Sequence, residues 1–174
     1  TSLQRIADLA DLSKSAVLYH FASKEALLEA SIGPAIDRLA SLMRGAGLTG
    51  PDVGGGTDRH DFVEQFVDFL LGHPLEVHLF ITQAHFLREV PVIGRANQLI
   101  SVLAHYCETS VNSIEDRVRF GIALGGSAYL INTMQALELT PAPEPEVRTA
   151  LVTVMTELLA PVPEELLPAA KQRS

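Results

Sequence analysis

SLQRIADLADLSKSAVLYHFASKEALLEA, Ser2 to Ala30, decides the reading of the chain. Leu3, Ile6, Ala7 and Ala10 recur at helical spacing and form the inner face of a short helix. Asp11 then sits at a break, followed by Leu12 and by Ser13, a natural N-cap for a second short helix from Lys14 to about His20. Ala7 is small where two helices meeting at a wide angle must approach closely, and Leu12 and Val17 are placed to fill that angle. This is the residue logic of a helix-turn-helix, in which the second helix enters the DNA major groove by its N-terminal end. It aims Lys14, Ser15 and Ala16 at base edges. Ser23 caps a third helix whose first residue, Lys24, sets a cation beside free helix N–H groups, a good phosphate contact. Helix pairs of this pattern also occur in all-α proteins that never touch DNA, where the serines are only caps and Lys24 only a solvated residue.

Outward from this stretch, the composition bounds the remainder. The 174 residues are 47% apolar and 20% charged, enough to form a core and too apolar for intrinsic disorder. One cysteine, Cys107, excludes a disulfide framework and any multi-Cys metal site, and fits a reducing cytosol. Apolar runs fall short of a membrane span, and no signal peptide opens the chain, so a cytoplasmic protein without membrane contact is expected. A formal charge of −8 argues against broad phosphate binding. Residues 1–25 are nevertheless neutral, with Arg5, Lys14 and Lys24 against Asp8, Asp11 and Glu25, so the acidity belongs to residues 26–174.

The rest reads as all-α. Leu28, Ile32, Ile36, Leu39 and Met43 stripe a helix over 24–43 that Gly33-Pro34 should interrupt and kink, making the pair a candidate pivot. Half of the 12 glycines lie between Gly45 and Gly56, which reads as a flexible connection. Helices are expected over about 59–71, marked by Phe62, Phe66 and Phe69, and over about 75–89, marked by Leu75, Leu79 and Phe86. Pro91 starts another, with Ile93, Ala96, Ile100, Leu103 and Cys107 in register. Asn112 and Glu115 have capping-box spacing for a helix to about Leu137, and a last helix spans about 145–159. The expected organisation is a helix-turn-helix domain with connecting helix at 1–44, a linker at 45–57, a helical domain at 58–160 and a loose tail at 161–174.

Ile6-Ala7, Leu12-Ser13-Lys14, Tyr19-His20-Phe21 and Ser23-Lys24-Glu25-Ala26-Leu27 closely resemble the DNA-binding signature of the tetracycline-repressor (TetR) family of bacterial transcription regulators. The resemblance is ungapped over about 27 residues. It implies a one-component regulator: a dimer on palindromic operator DNA, released by a small-molecule effector bound in the C-terminal domain. Carried over position by position, it makes Ser2, Gln4, Lys14, Ser15, Tyr19, His20 and Lys24 the DNA-contacting residues, and Phe21 the aromatic that packs the small domain. Dimerisation is expected through the helices at about 113–137 and 145–159. The chain departs from the pattern where the turn glycine is Asp11 and where the tyrosine three residues before the phenylalanine is Leu18. The family's first helix has no counterpart after Thr1, so the chain reads as truncated at its N-terminus.

Residues 58–160 hold no phosphate loop, nucleophile elbow or H-E-x-x-H, so no enzyme, cofactor or metal is expected. His85 and Glu89 share an i,i+4 face, but two ligands do not define a metal site. Cys107 lies in apolar register and reads as core. His78, Gln83, His85, His105, Tyr129 and Asn132 are polar groups on otherwise apolar helices, the makings of an effector pocket. Gly121, Gly125 and Gly126 in one helix suggest a close helix–helix or helix–ligand approach. The alternative to a regulator is a helical partner-binding protein that does not use its helix-turn-helix on DNA.

Overall fold

Three serines open the first three helices. In the computed structural model Ser2 Oγ accepts from Arg5 N at the start of α1 (Leu3–Leu9), Ser13 Oγ from Ala16 N at α2 (Lys14–His20), and Ser23 Oγ from Ala26 N at α3 (Lys24–Gly45). Each hydroxyl satisfies a backbone donor that the first turn leaves without an intrahelical partner. The structure describes residues 2–49, 58–83, 90–110, 113–136 and 143–160; among these every regular element is helical.

α3 runs unbroken through Pro34, contrary to the expected interruption. Packing on two sides outweighs the lost hydrogen bond. Around the proline, Ile32 is buried with Val92 and Ile93 of α6 (Pro91–Ser110), and further on Leu42 and Met43 join the main core. Gly33 is buried where Arg95 Nη2 reaches across to Glu29 Oε1 at 2.7 Å. The helix ends at the head of the glycine-rich stretch. Gly47 has φ 66°, its N–H bonds to Arg44 O, and Leu48 N bonds to Met43 O with the Leu48 side chain buried. That is a Schellman cap, so the first glycines of the stretch close a helix; residues 50–57 lie outside the described residues.

The body of the molecule is α4 (Arg59–Gly72), α5 (Pro74–Gln83), α6, α7 (Ile114–Gly121), α8 (Ser127–Ala136) and α9 (Glu144–Leu159). α4 is central, with Phe62, Val63, Phe66, Val67, Phe69 and Leu70 all buried against α9, α3 and α8. The phenylalanines are plain core, as their spacing implies. Leu75 and Ile100, expected to be in register with the core, are 69% and 46% exposed: α5 buries Val77, which points to nearly the opposite side from Leu75, and beyond Ala96 the inward side of α6 passes to the half-buried Leu99 and Leu103. Cys107 is half-buried, with Sγ 3.8 Å from Arg117 O.

The glycine-bearing helix differs from expectation in two ways. Its cap is Ser113, one residue beyond Asn112: Ser113 Oγ accepts from Asp116 N at 2.9 Å and donates to Asp116 Oδ2 at 2.6 Å. Either residue type caps, and the acid that bonds the cap hydroxyl is Asp116, one residue beyond the expected Glu115. Second, Ile122–Gly126 between α7 and α8 is a π-helical turn. Ser127 is buried there, its hydroxyl shared between Ala123 O and Leu124 O. Among the described residues no close neighbour explains the glycines: a Cβ on Gly121 or Gly125 would meet nothing within 4 Å.

Candidate nucleic-acid interface

The turn between α1 and α2 is built by Asp11. It adopts φ 55°, while Asp11 N bonds to Asp8 O and Leu12 N to Ala7 O, the bond pair that ends α3 at Gly47. Asp tolerates this left-handed conformation better than most residues with a Cβ, so it stands in for glycine. Ala7 is fully buried and Val17 6% exposed at the crossing, whereas Leu12 is 52% exposed and Ala10 also faces outward, so only part of the expected wedge is filled.

With Val17 inward, α2 turns Lys14, Ser15, Leu18 and Tyr19 outward, Tyr19 at 85% exposure. Among the described residues the Lys14 ammonium has no ion-pair or hydrogen-bond partner, so it is available to an incoming anion. Ser15 Oγ lies 2.9 Å from Ser13 Oγ. Tyr19 packs edge-on to His20, ring centroids 5.1 Å apart. On α1, Ser2 caps the helix, and Gln4 Nε2 donates to Asp8 Oδ1 at 2.7 Å. Both keep donors for DNA, since the cap bond uses no hydroxyl proton of Ser2 and the Asp8 bond uses one of the two Gln4 Nε2 hydrogens. Lys24 is half-buried at the first position of α3. The expected N–H groups beside it are not all free. The Glu25 carboxylate is held below its usual range by its own backbone N–H, the Ser23 hydroxyl and, more weakly, the Lys24 charge. A phosphate at Lys24 therefore meets a neighbouring carboxylate.

Of the six expected pocket residues, the five among the described residues do not all converge. His78 Nδ1 and Asn132 Oδ1 are 2.7 Å apart, joining α5 to α8 with Asn132 buried, so these two do meet. Gln83 and His105 are exposed and Tyr129 is 63% exposed, because helical periodicity turns them away from the core. His85, with Glu89, lies outside the described residues. A cleft of about 80 Å³ between α3 and α4, lined by Arg38, Ser41, Leu42, Gly45, Phe62 and Gln65, contains none of the six. Small-molecule pockets usually enclose about 300 Å³ or more. Leu18, which stands where the resemblance has a tyrosine, shares the exposed α2 face with Lys14 at a spacing of four residues.

Among the described residues no helix is long and apolar enough to cross a membrane. Neither the curated proteins nor the solved structures contain a match to the chain. Residues 1–31 match the family model described as bacterial regulatory proteins, tetR family. That match spans α1, the Asp11 turn, α2 and the first turns of α3, the elements that present Lys14 and its neighbours. Over this helix-turn-helix the chain is similar to the DNA-binding segment of the tetR family of bacterial regulatory proteins.

Proposed function

We propose that the protein is a one-component repressor that binds palindromic operator DNA as a homodimer and leaves it when a small-molecule effector occupies the helical domain. The observation that carries this reading is the outward face of α2, with Lys14 unpaired at its N-terminal end. A dimer is supported by a second, distant surface. Ile114, Val118, Ile122, Tyr129 and Leu130 are between 47% and 78% exposed along α7, the π turn and α8. The exposed glycines lie among them, and Val154 of α9 adds 52% exposure. The threonines nearby already bond within their own helices, Thr133 Oγ1 to Tyr129 O, Thr149 to Pro145 O and Thr153 to Thr149 O. Such hydroxyls go into an interface without losing a partner. A symmetric pair formed there sets two α2 helices side by side for successive major grooves.

On this reading Ser2, Gln4, Lys14, Ser15, Tyr19, His20 and Lys24 make the DNA contacts, and the His78–Asn132 pair orients the effector. The effector acts by preferring the dimer whose heads are wrongly spaced for the operator. α3 carries the change, since it packs on both α4 and α6. A gel shift of the intact protein on its own upstream DNA tests the proposal. Wild type shifts the DNA, and Lys14→Ala or Lys24→Ala weakens the shift. A folded dimer that shifts nothing at low salt instead supports a partner-binding protein that leaves its helix-turn-helix unused.

A further inference from the structure

Leu18 is a large apolar side chain left 41% exposed on the outward face of α2. It lies one turn beyond Lys14 and three residues beyond Ser15, so the three side chains neighbour one another on the helix surface. Val17 occupies the inward side. A leucine has nothing to donate or accept, so it serves neither a phosphate oxygen nor a polar base edge. The apolar feature of a major groove is the C5-methyl group of thymine. The unpaired cation of Lys14 and the hydroxyls of Ser15 and Tyr19 around Leu18 suit a polyanion with polar base edges better than an apolar protein surface.

We propose that Leu18 is a specificity-determining residue that packs on a thymine methyl group in each half-site, beside the bases reached by Lys14 and Ser15. The inference rests on α2 being the DNA-reading helix. It adds a base preference that a polar side chain at this position would not supply.

The test compares the intact protein's affinity for its own upstream DNA made with thymine or with uracil throughout, two polymers that differ by that methyl group. Losing one buried methyl contact weakens binding about fourfold, so two half-sites give about fifteenfold weaker binding to uracil DNA. Leu18→Ala is expected to bind thymine DNA more weakly and to lose most of the thymine–uracil difference, while Leu18→Met retains it. Equal wild-type binding to both DNAs overturns the proposal, as does undiminished discrimination by Leu18→Ala. Circular dichroism checks the fold: an unfolded Leu18→Ala would make the side chain part of the core, which also overturns it. A folded wild type that binds neither DNA overturns the DNA-reading role of α2 itself.

Discussion

Asp11 carries the sharpest local demand in the helix-turn-helix. At φ 55° most side chains with a Cβ cost roughly 1–2 kcal/mol, and a β-branched one more. Asp11→Val is expected to destabilise the head by about 2 kcal/mol, and Asp11→Gly to be neutral or slightly stabilising, as read by urea unfolding followed by circular dichroism. The turn was legible in the sequence because the constraint is local: Asp is one of the few residues that tolerate the position. Gly33 poses the opposite case. A Cβ there would sit 3.0 Å from Glu29 Oε1 and 3.5 Å from Arg95 Nη2, both ends of flexible, half-exposed side chains. Gly33→Ala therefore loses at most an exposed ion pair, worth up to about 1 kcal/mol, and gains about 1 kcal/mol of helix propensity. The expected result is stability unchanged to within about 1 kcal/mol. No sequence pattern revealed this crossing, because Arg95 lies far along the chain from the glycine it passes.

At the scale of elements, α9 is held to α4 and α7 by arginines. Arg148 forms a fork on Asp68, Nε to Oδ1 at 2.6 Å and Nη2 to Oδ2 at 3.0 Å, with Glu64 at 3.6 Å. Arg119 donates to Leu158 O and Glu157 O, and Arg59 to Leu159 O, so the C-terminal carbonyls of the helix face two cations. The Arg148 hydrogen bonds hold the Asp68 carboxyl below its ordinary range. A depressed folded pKa means the fork stabilises the protein above the unfolded pKa and stops doing so as pH falls through the folded one, below about pH 4. Arg148→Met should lower stability modestly at pH 7, as the pair is half-exposed, and by progressively less as pH falls below about 4, by denaturant titration at each pH. Helices and their caps were readable where a single residue suits the role, as at Ser13 and Ser23. Asn112 and Ser113 are adjacent and equally suited, so the register slipped by one. The π turn had no signature beyond its glycines. Gly125→Ala should add about 1 kcal/mol of helix propensity to a monomer, since a Cβ there meets nothing. If that face is the dimer contact, the same change weakens the dimer, and sedimentation equilibrium separates the two effects.

For the whole molecule, the formal charge of −8 misdirects when read as a single number. The helix-turn-helix segment is neutral over residues 1–25, and two of its three cations, Lys14 and Lys24, sit at the first positions of helices. The helix-turn-helix was legible because its determinants are local and contiguous. The placement of the candidate pocket residues was not, because whether His78, Gln83 or Tyr129 faces inward depends on how α5 and α8 pack, which a single polar residue on an apolar helix does not announce. The central claim is that paired α2 helices read successive major grooves of one operator. Nuclease footprinting of the intact protein on its own upstream DNA tests it most directly. Two protected half-sites related by a two-fold axis are expected, centred about one helical turn or a multiple of it apart, and both lost in Lys14→Ala. A folded, dimeric wild-type protein that leaves no footprint at low salt would contradict it.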